Sequence, residues 1–152
     1  MNKILILLSL SMIGLAGCNK DDDDKKDDII EKKGIVMNGA QEFPEKDVTG
    51  TGTADVSYNK TTKVLSFKLT WAGLTGEPTG SHIHGIAGRG ANAGVKFDFF
   101  DALPKTASGT YSGTAPVDEV AILEDSLLAG KYYFNIHTVA NPAGEIRGQI
   151  EF

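Results

Sequence analysis

The chain has 152 residues, of which 20 are acidic and 15 basic, giving a formal net charge of −5. No basic patch interleaves with aromatic residues, which excludes a nucleic-acid surface. A single cysteine excludes an intrachain disulfide, so the fold must stand on its core alone.

The first element is a targeting segment. "MNKILILLSLSMIGLAGC" has one lysine, an apolar run too short to span a bilayer as a helix, and small residues before a cysteine. Its last four residues, Leu15-Ala16-Gly17-Cys18, resemble the lipobox of bacterial lipoproteins. That resemblance implies a signal peptide over 1–17, removed by cleavage, and acyl chains on Cys18 that anchor the protein to a membrane. Each buried CH₂ adds about 0.8 kcal/mol, so several chains on one residue hold firmly. The next stretch, "NKDDDDKKDDIIEKK", has no aromatic residue and only two apolar ones. Such a composition cannot bury enough surface to offset its ordering entropy, and residues 18–33 read as an acidic, disordered tether. An acidic run directly after a lipidated cysteine resembles the export signal of surface lipoproteins. The expected address is the outer membrane, facing the periplasm or, by preference, the cell surface.

Residues 34–152 have the length of one domain and read as all-β. Gly52, Ala54, Val56 and Tyr58 share one strand face, as do Leu65, Phe67, Leu69 and Trp71 in the next strand. A turn at 59–62 sets Val56 opposite Leu65 and Ala54 opposite Phe67, with both apolar faces on one side. "SHIHG" is a short strand bounded by glycines. "VKFDFF" places Val95, Phe97 and Phe99 together, and "GTYSGTA" is a weak strand. "VDEVAILEDSLLAG" breaks the alternation: Val120, Leu123 and Leu127 have helical spacing and Gly130 supplies a stop, predicting one short crossover helix. The last hairpin, "KYYFNIHTV" and "EIRGQIEF", turns at Asn141-Pro142-Ala143-Gly144. Pairing His137 with Arg147 and Asn135 with Gln149 puts Asn135, His137, Glu145, Arg147 and Gln149 on one polar face. Tyr132, Phe134, Ile136, Ile146 and Ile150 then line the opposite face.

"SHIHGIAGRGANAGV" followed by "LLAGKYYFNIHTVANPAGEIRGQI" resembles the chordin-type (CHRD) domain, with its His-x-His segment, glycine-rich loop, aromatic-Asn-x-His-Thr strand and Glu-Ile-Arg-Gly-Gln. Ala93-Gly94-Val95 stands where the family often has a proline before its next strand. The resemblance implies an immunoglobulin-like or superoxide-dismutase-like Greek-key β-sandwich. It also implies an extracellular-type binding domain whose partner is a protein or polymer, and no established activity.

The chain's three histidines are His82, His84 and His137. His82 and His84 share a strand face. Two readings stand. In the first they are buried hydrogen-bonding residues of a polar cluster with Asn135, Glu145, Arg147 and Gln149, in which Glu145 and Arg147 form a charge-assisted pair. In the second they converge on a zinc or copper ion, a reading that the positive charge of Arg147 beside His137 opposes. Two facts weigh against a dismutase: no histidines remain for a second metal, and one cysteine cannot form the disulfide that fixes that enzyme's loop. The glycine-rich loop lacks the Gly-Lys-Ser/Thr end of a P-loop, and there is no nucleophile elbow. A non-enzymatic binding protein is therefore expected, with no required cofactor beyond the metal alternative.

Overall fold

The computed structural model describes residues 28–152. The expected signal peptide over 1–17, Cys18 and the acidic run to residue 27 lie outside the described residues. Eight antiparallel strands form one nearly closed sheet: β1 Ile29–Asn38, β2 Thr51–Asn59, β3 Val64–Ala72, β4 Pro78–Gly85, β5 Val95–Asp98, β6 Gly109–Pro116, β7 Tyr132–Thr138 and β8 Ile146–Ile150. Their order across the sheet is β5-β4-β7-β8-β1-β2-β3-β6. Between β8 and β1 only one residue pair, Asn38 with Arg147, is in register. The sheet folds at this joint into two four-stranded halves that face each other, as the sandwich reading expects. Phe67 of β3 sits 5.1 Å from Phe134 of β7 and 5.1 Å from Phe99, which joins the halves through an aromatic cluster. Edge-to-face and tilted ring pairs of this kind add about 0.5–1.5 kcal/mol each beyond their buried area.

Period-two alternation explains the inner faces. Leu65, Phe67, Leu69 and Trp71 point into the core with Ala54, Val56 and Tyr58, while Ser66, Lys68 and Thr70 point out. The register of this hairpin differs from the expected one: Val56 pairs with Phe67 and Ala54 with Leu69. The turn occupies Lys60–Lys63 instead of 59–62. Asn59 Oδ1 accepts from the Thr61 and Thr62 N–H groups, and Lys63 closes the turn at φ 55. The shift is two residues, so every side chain keeps its face.

Three further expectations are corrected. Composition assigns Ile29–Lys33 to the tether, yet they form the first half of β1 and pair with β2 from Ile29–Asn59 to Lys32–Val56. The pairing is carried by backbone groups along the open edge of β2, so it needs few apolar side chains. The helix is one short piece, α1 Glu124–Leu128, and Val120 is 81% exposed rather than on its buried face. Asp118 accepts from the N–H groups of Val120, Ala121 and Ile122, holding that stretch in a turn and delaying the helix; Ile122 and Leu127 reach the core instead. Gly130, at φ 68, ends the helix as expected. In β5, Val95 is exposed while Phe99 is buried, because Lys96 forms a bulge against β4 and the strand stops at Asp98.

A chain starting at Gly34 loses four registered pairs of β1. It is expected to be less stable than one starting at Asp28 by about 1–3 kcal/mol in urea unfolding. Equal midpoints for the two chains would return Ile29–Lys33 to the tether.

Candidate metal centre

β4, β7 and β8 present a second face, turned away from the core. Along β4 it carries His82 and His84. Along β7 it carries Tyr133, Asn135 and His137, and along β8 Arg147 and Gln149. Cross-strand rows set His84 beside Tyr133 and His82 beside Asn135. On the β8 side Asn135 pairs with Arg147 and Tyr133 with Gln149, two residues away from the expected register but on the expected face. Much of this face is covered, though His82 and His137 stay half-buried. The segment 86–94 and the segment 39–46 lie over it, so β7 is buried on both sides.

A buried polar face must have its groups paired. Arg147 donates to the carbonyls of Ala91 at 2.9 Å and Gly88 at 3.0 Å and to Gln149 Oε1 at 2.8 Å. Gln149 Nε2 donates to the carbonyls of Ala87 and Gly130. Tyr133 Oη accepts from the Ala93 N–H at 3.1 Å. These bonds tie the glycine-rich loop to the sheet. Arg147 and Gln149 are thus loop clamps, and no Glu145–Arg147 ion pair forms. Glu145 lies just before β8, where its carboxylate accepts from the Thr75 N–H and hydroxyl, the Thr138 hydroxyl and Asn141 Nδ2. Burial acts to raise its pKa, but the bonds from Thr138 and Thr75 outweigh burial and hold it below the usual carboxylate value.

The Arg147 guanidinium lies 3.5 Å over the Tyr133 ring, and the His84 ring stacks 5.1 Å from the same ring at 6°. Since β7 runs between β4 and β8, Tyr133 stands between Arg147 and His84. The Arg147 charge nevertheless reaches the cluster, where it acts with burial to lower the His84 pKa.

The three imidazoles meet on this face. Ring centroids lie 4.9 Å apart for His82–His137, 5.3 Å for His82–His84 and 5.7 Å for His84–His137. Gly80 makes this approach possible: a Cβ there would come 3.0 Å from His82 Cε1 and 3.2 Å from His137 Cδ2. One ring nitrogen from each histidine lies within 4.8 Å of the other two. A zinc–nitrogen bond is about 2.0–2.1 Å, so two ligands of one ion stand at most about 4.2 Å apart, and the rings would close slightly around it.

Hydrogen bonds orient the rings. His84 Nδ1 lies 2.9 Å from the Ala93 carbonyl and His137 Nδ1 3.1 Å from the Pro142 carbonyl. A carbonyl oxygen only accepts, so both Nδ1 atoms carry the proton and both Nε2 atoms present lone pairs. His137 Nε2 accepts from His82 Nδ1 at 3.0 Å. His84 Nε2 is buried and has no partner. The remaining His82 nitrogen, Nε2, stands 3.8 Å from Asp98 Oδ2 across the β4–β5 ladder. Burial lowers the pKa of all three histidines, that of His137 to about 4. They are neutral at pH 7, the state in which imidazole binds a metal.

Two residues missed in the sequence complete the site. Tyr133 follows from extending the alternation of Asn135 and His137 by one step. Glu42 has no sequence signal, because a loop brings it over Asn135. It is 5% exposed, accepts from Asn135 Nδ2 at 3.2 Å, and burial raises its pKa to about 7.

Among known families, the model described as the CHRD domain matches residues 34–150, and the chain belongs to that family. Comparison with curated proteins and with solved structures gives no match.

The depressed pKa of His137 and the raised pKa of Glu42 act on stability in opposite directions. For His137 the unfolded chain, near 6.5, takes the proton first, so its contribution is full above that pH and is lost as pH falls toward about 4. For Glu42 the folded state takes the proton first, so its contribution is full below about 4.5 and is lost as pH rises through about 7. In chelator-treated protein, the stability advantage of wild type over His137→Gln should shrink from pH 7 to pH 4. The advantage over Glu42→Gln should grow over the same range. Urea midpoints across pH measure both, and parallel pH profiles for the three proteins would contradict these ionisation states.

Proposed function

We propose that this CHRD-domain chain is a non-enzymatic, envelope-anchored binding protein that takes up one zinc or copper ion through His82, His84 and His137. What carries the reading is the pair of Nε2 lone pairs on His84 and His137. Each is fixed by Nδ1–H donation to a backbone carbonyl; that of His137 faces the third imidazole, and that of His84 is buried without a partner. A metal-binding histidine characteristically donates its other ring N–H to a carbonyl or carboxylate, which sets the tautomer and orients the ring. On binding, His82 would release the proton it shares with His137, hold one on Nε2 toward Asp98, and offer Nδ1 to the ion. Every ligand is then a neutral nitrogen, a set that suits zinc and copper better than calcium or magnesium.

The anchor is part of the same proposal. Cys18 carries the acyl chains, and the acidic run holds the domain off the outer membrane, with the surface face preferred. Among the described residues no helix is long and apolar enough to cross a membrane.

Two experiments test this reading. Chelator-stripped protein titrated calorimetrically with Zn²⁺ or Cu²⁺ should bind one equivalent. At a free metal concentration of about 100 Kd the folded state gains about 2.7 kcal/mol, seen as a rise in Tm. His82→Ala, His84→Ala and His137→Ala should each remove most of the effect, and an unchanged Tm in wild type, or a rise that survives all three substitutions, rejects the site. Separately, metabolic labelling with a radioactive fatty acid should mark the protein, and Cys18→Ser should abolish the label; a labelled serine variant rejects the anchor.

A further inference from the structure

Beside the histidines lie two more buried groups without partners. Glu42 Oε1 and Asn135 Oδ1 make no hydrogen bond, and their residues are 5% and 3% exposed. With His84 Nε2 they make three of the five buried unpartnered side-chain atoms among the described residues. With Glu42 ionised, all three are lone-pair acceptors: the Asn135 amide nitrogen is used by Glu42, and the His84 proton sits on Nδ1. Nothing on this face donates to them. Gly144 presses on the pair, since a Cβ there would meet Asn135 Oδ1 at 2.5 Å and Glu42 Oε1 at 2.7 Å.

The strand register places these groups in the same compartment as the imidazoles. His82 and Asn135 are direct cross-strand partners. His84 belongs to the row of Tyr133 and His137 to the row of Gly80, so their rings converge over the His82–Asn135 row between them. Asn135 is therefore the floor of the histidine cluster, and the Glu42 carboxyl covers that floor from the loop.

We propose that the metal's fourth position holds a water molecule that donates its two O–H bonds to Asn135 Oδ1 and Glu42 Oε1. One metal–water unit then satisfies all three orphan acceptors: the ion takes His84 Nε2, and the two protons take the two oxygens. This rests on the three-histidine metal reading and adds to it an exchangeable ligand and a reason for a buried carboxyl group at this position. Glu42 and Asn135 are positioning residues here and do not touch the metal. Removing such outer contacts characteristically weakens metal binding by about 10–100-fold.

The test uses Cu²⁺ bound to the metal-stripped protein and reads exchangeable protons on the copper by electron–nuclear double resonance in H₂O and D₂O. Wild type should show histidine nitrogen couplings together with proton couplings that vanish in D₂O and belong to bound water. Glu42→Leu should lose or strongly reduce the water couplings and weaken the Kd by about tenfold or more. Glu42→Gln, which keeps an oxygen at the site, should retain them in large part. If Glu42→Leu does not fold, the wild-type spectrum and the Glu42→Gln comparison still decide. Copper held by histidine nitrogens without exchangeable water protons overturns the water and leaves the three-histidine site standing, as does an unchanged spectrum and Kd in Glu42→Leu. Absence of copper binding by wild type overturns both.

Discussion

The structure turns on a strand that is buried on both faces. β7 gives Tyr132, Phe134 and Ile136 to the core, and on its other side Tyr133 and Asn135 lie beneath loops. A strand inside two apolar layers would need a continuous hydrophobic run. Here the second layer is polar, and an unpaired polar group in that setting costs about 1–3 kcal/mol. The face is therefore stable only if loops arrive to pair with it. Arg147, Gln149 and Tyr133 bind five backbone groups of the segment 86–94 and its neighbour Gly130. The glycine-rich loop gains its conformation from the sheet, and the sheet is desolvated by the loop.

That desolvation produces the electrostatics of the site. Burial is the leading cause of the lowered pKa at all three histidines and of the raised pKa at Glu42. Protonation of the histidines is disfavoured, so they rest neutral at pH 7, and ionisation of Glu42 is delayed to about pH 7. Neutral imidazoles with fixed tautomers present lone pairs, and the polar surplus on this face consists of acceptors. By contrast Glu145, a few ångströms of strand away from Arg147 in sequence, is saturated by donors from Thr75, Thr138 and Asn141 and serves to hold the β7–β8 turn against the β3–β4 connection. Two carboxylates of the same domain are thus set to opposite tasks by how many donors reach them.

Parity was legible in the sequence and register was not. Both hairpins place each side chain on its expected face, yet both are shifted by two residues from the expected pairing. Alternation has a period of two, so it distinguishes faces and is blind to a slip of two. The turn chemistry decides such slips: Lys63 at φ 55 sets one hairpin, and Gly144 at φ 128 sits in the connection of the other. Composition likewise hid the first half of β1, which is mostly exposed yet pairs in register with β2.

The amino-acid sequence by itself determined the all-β class, the CHRD family and the polar face with its three histidines, because these depend on residue type and on local spacing. Tertiary structure alone decided that His84 and His137, from rows on either side of the His82–Asn135 pair, turn their rings together; that Ala93 and Pro142 carbonyls fix their tautomers; and that Glu42 comes to lie over Asn135. Those facts depend on where loops land, and a loop's landing place is set by the polar groups left unpaired on a sheet that exists only once the strands have assembled.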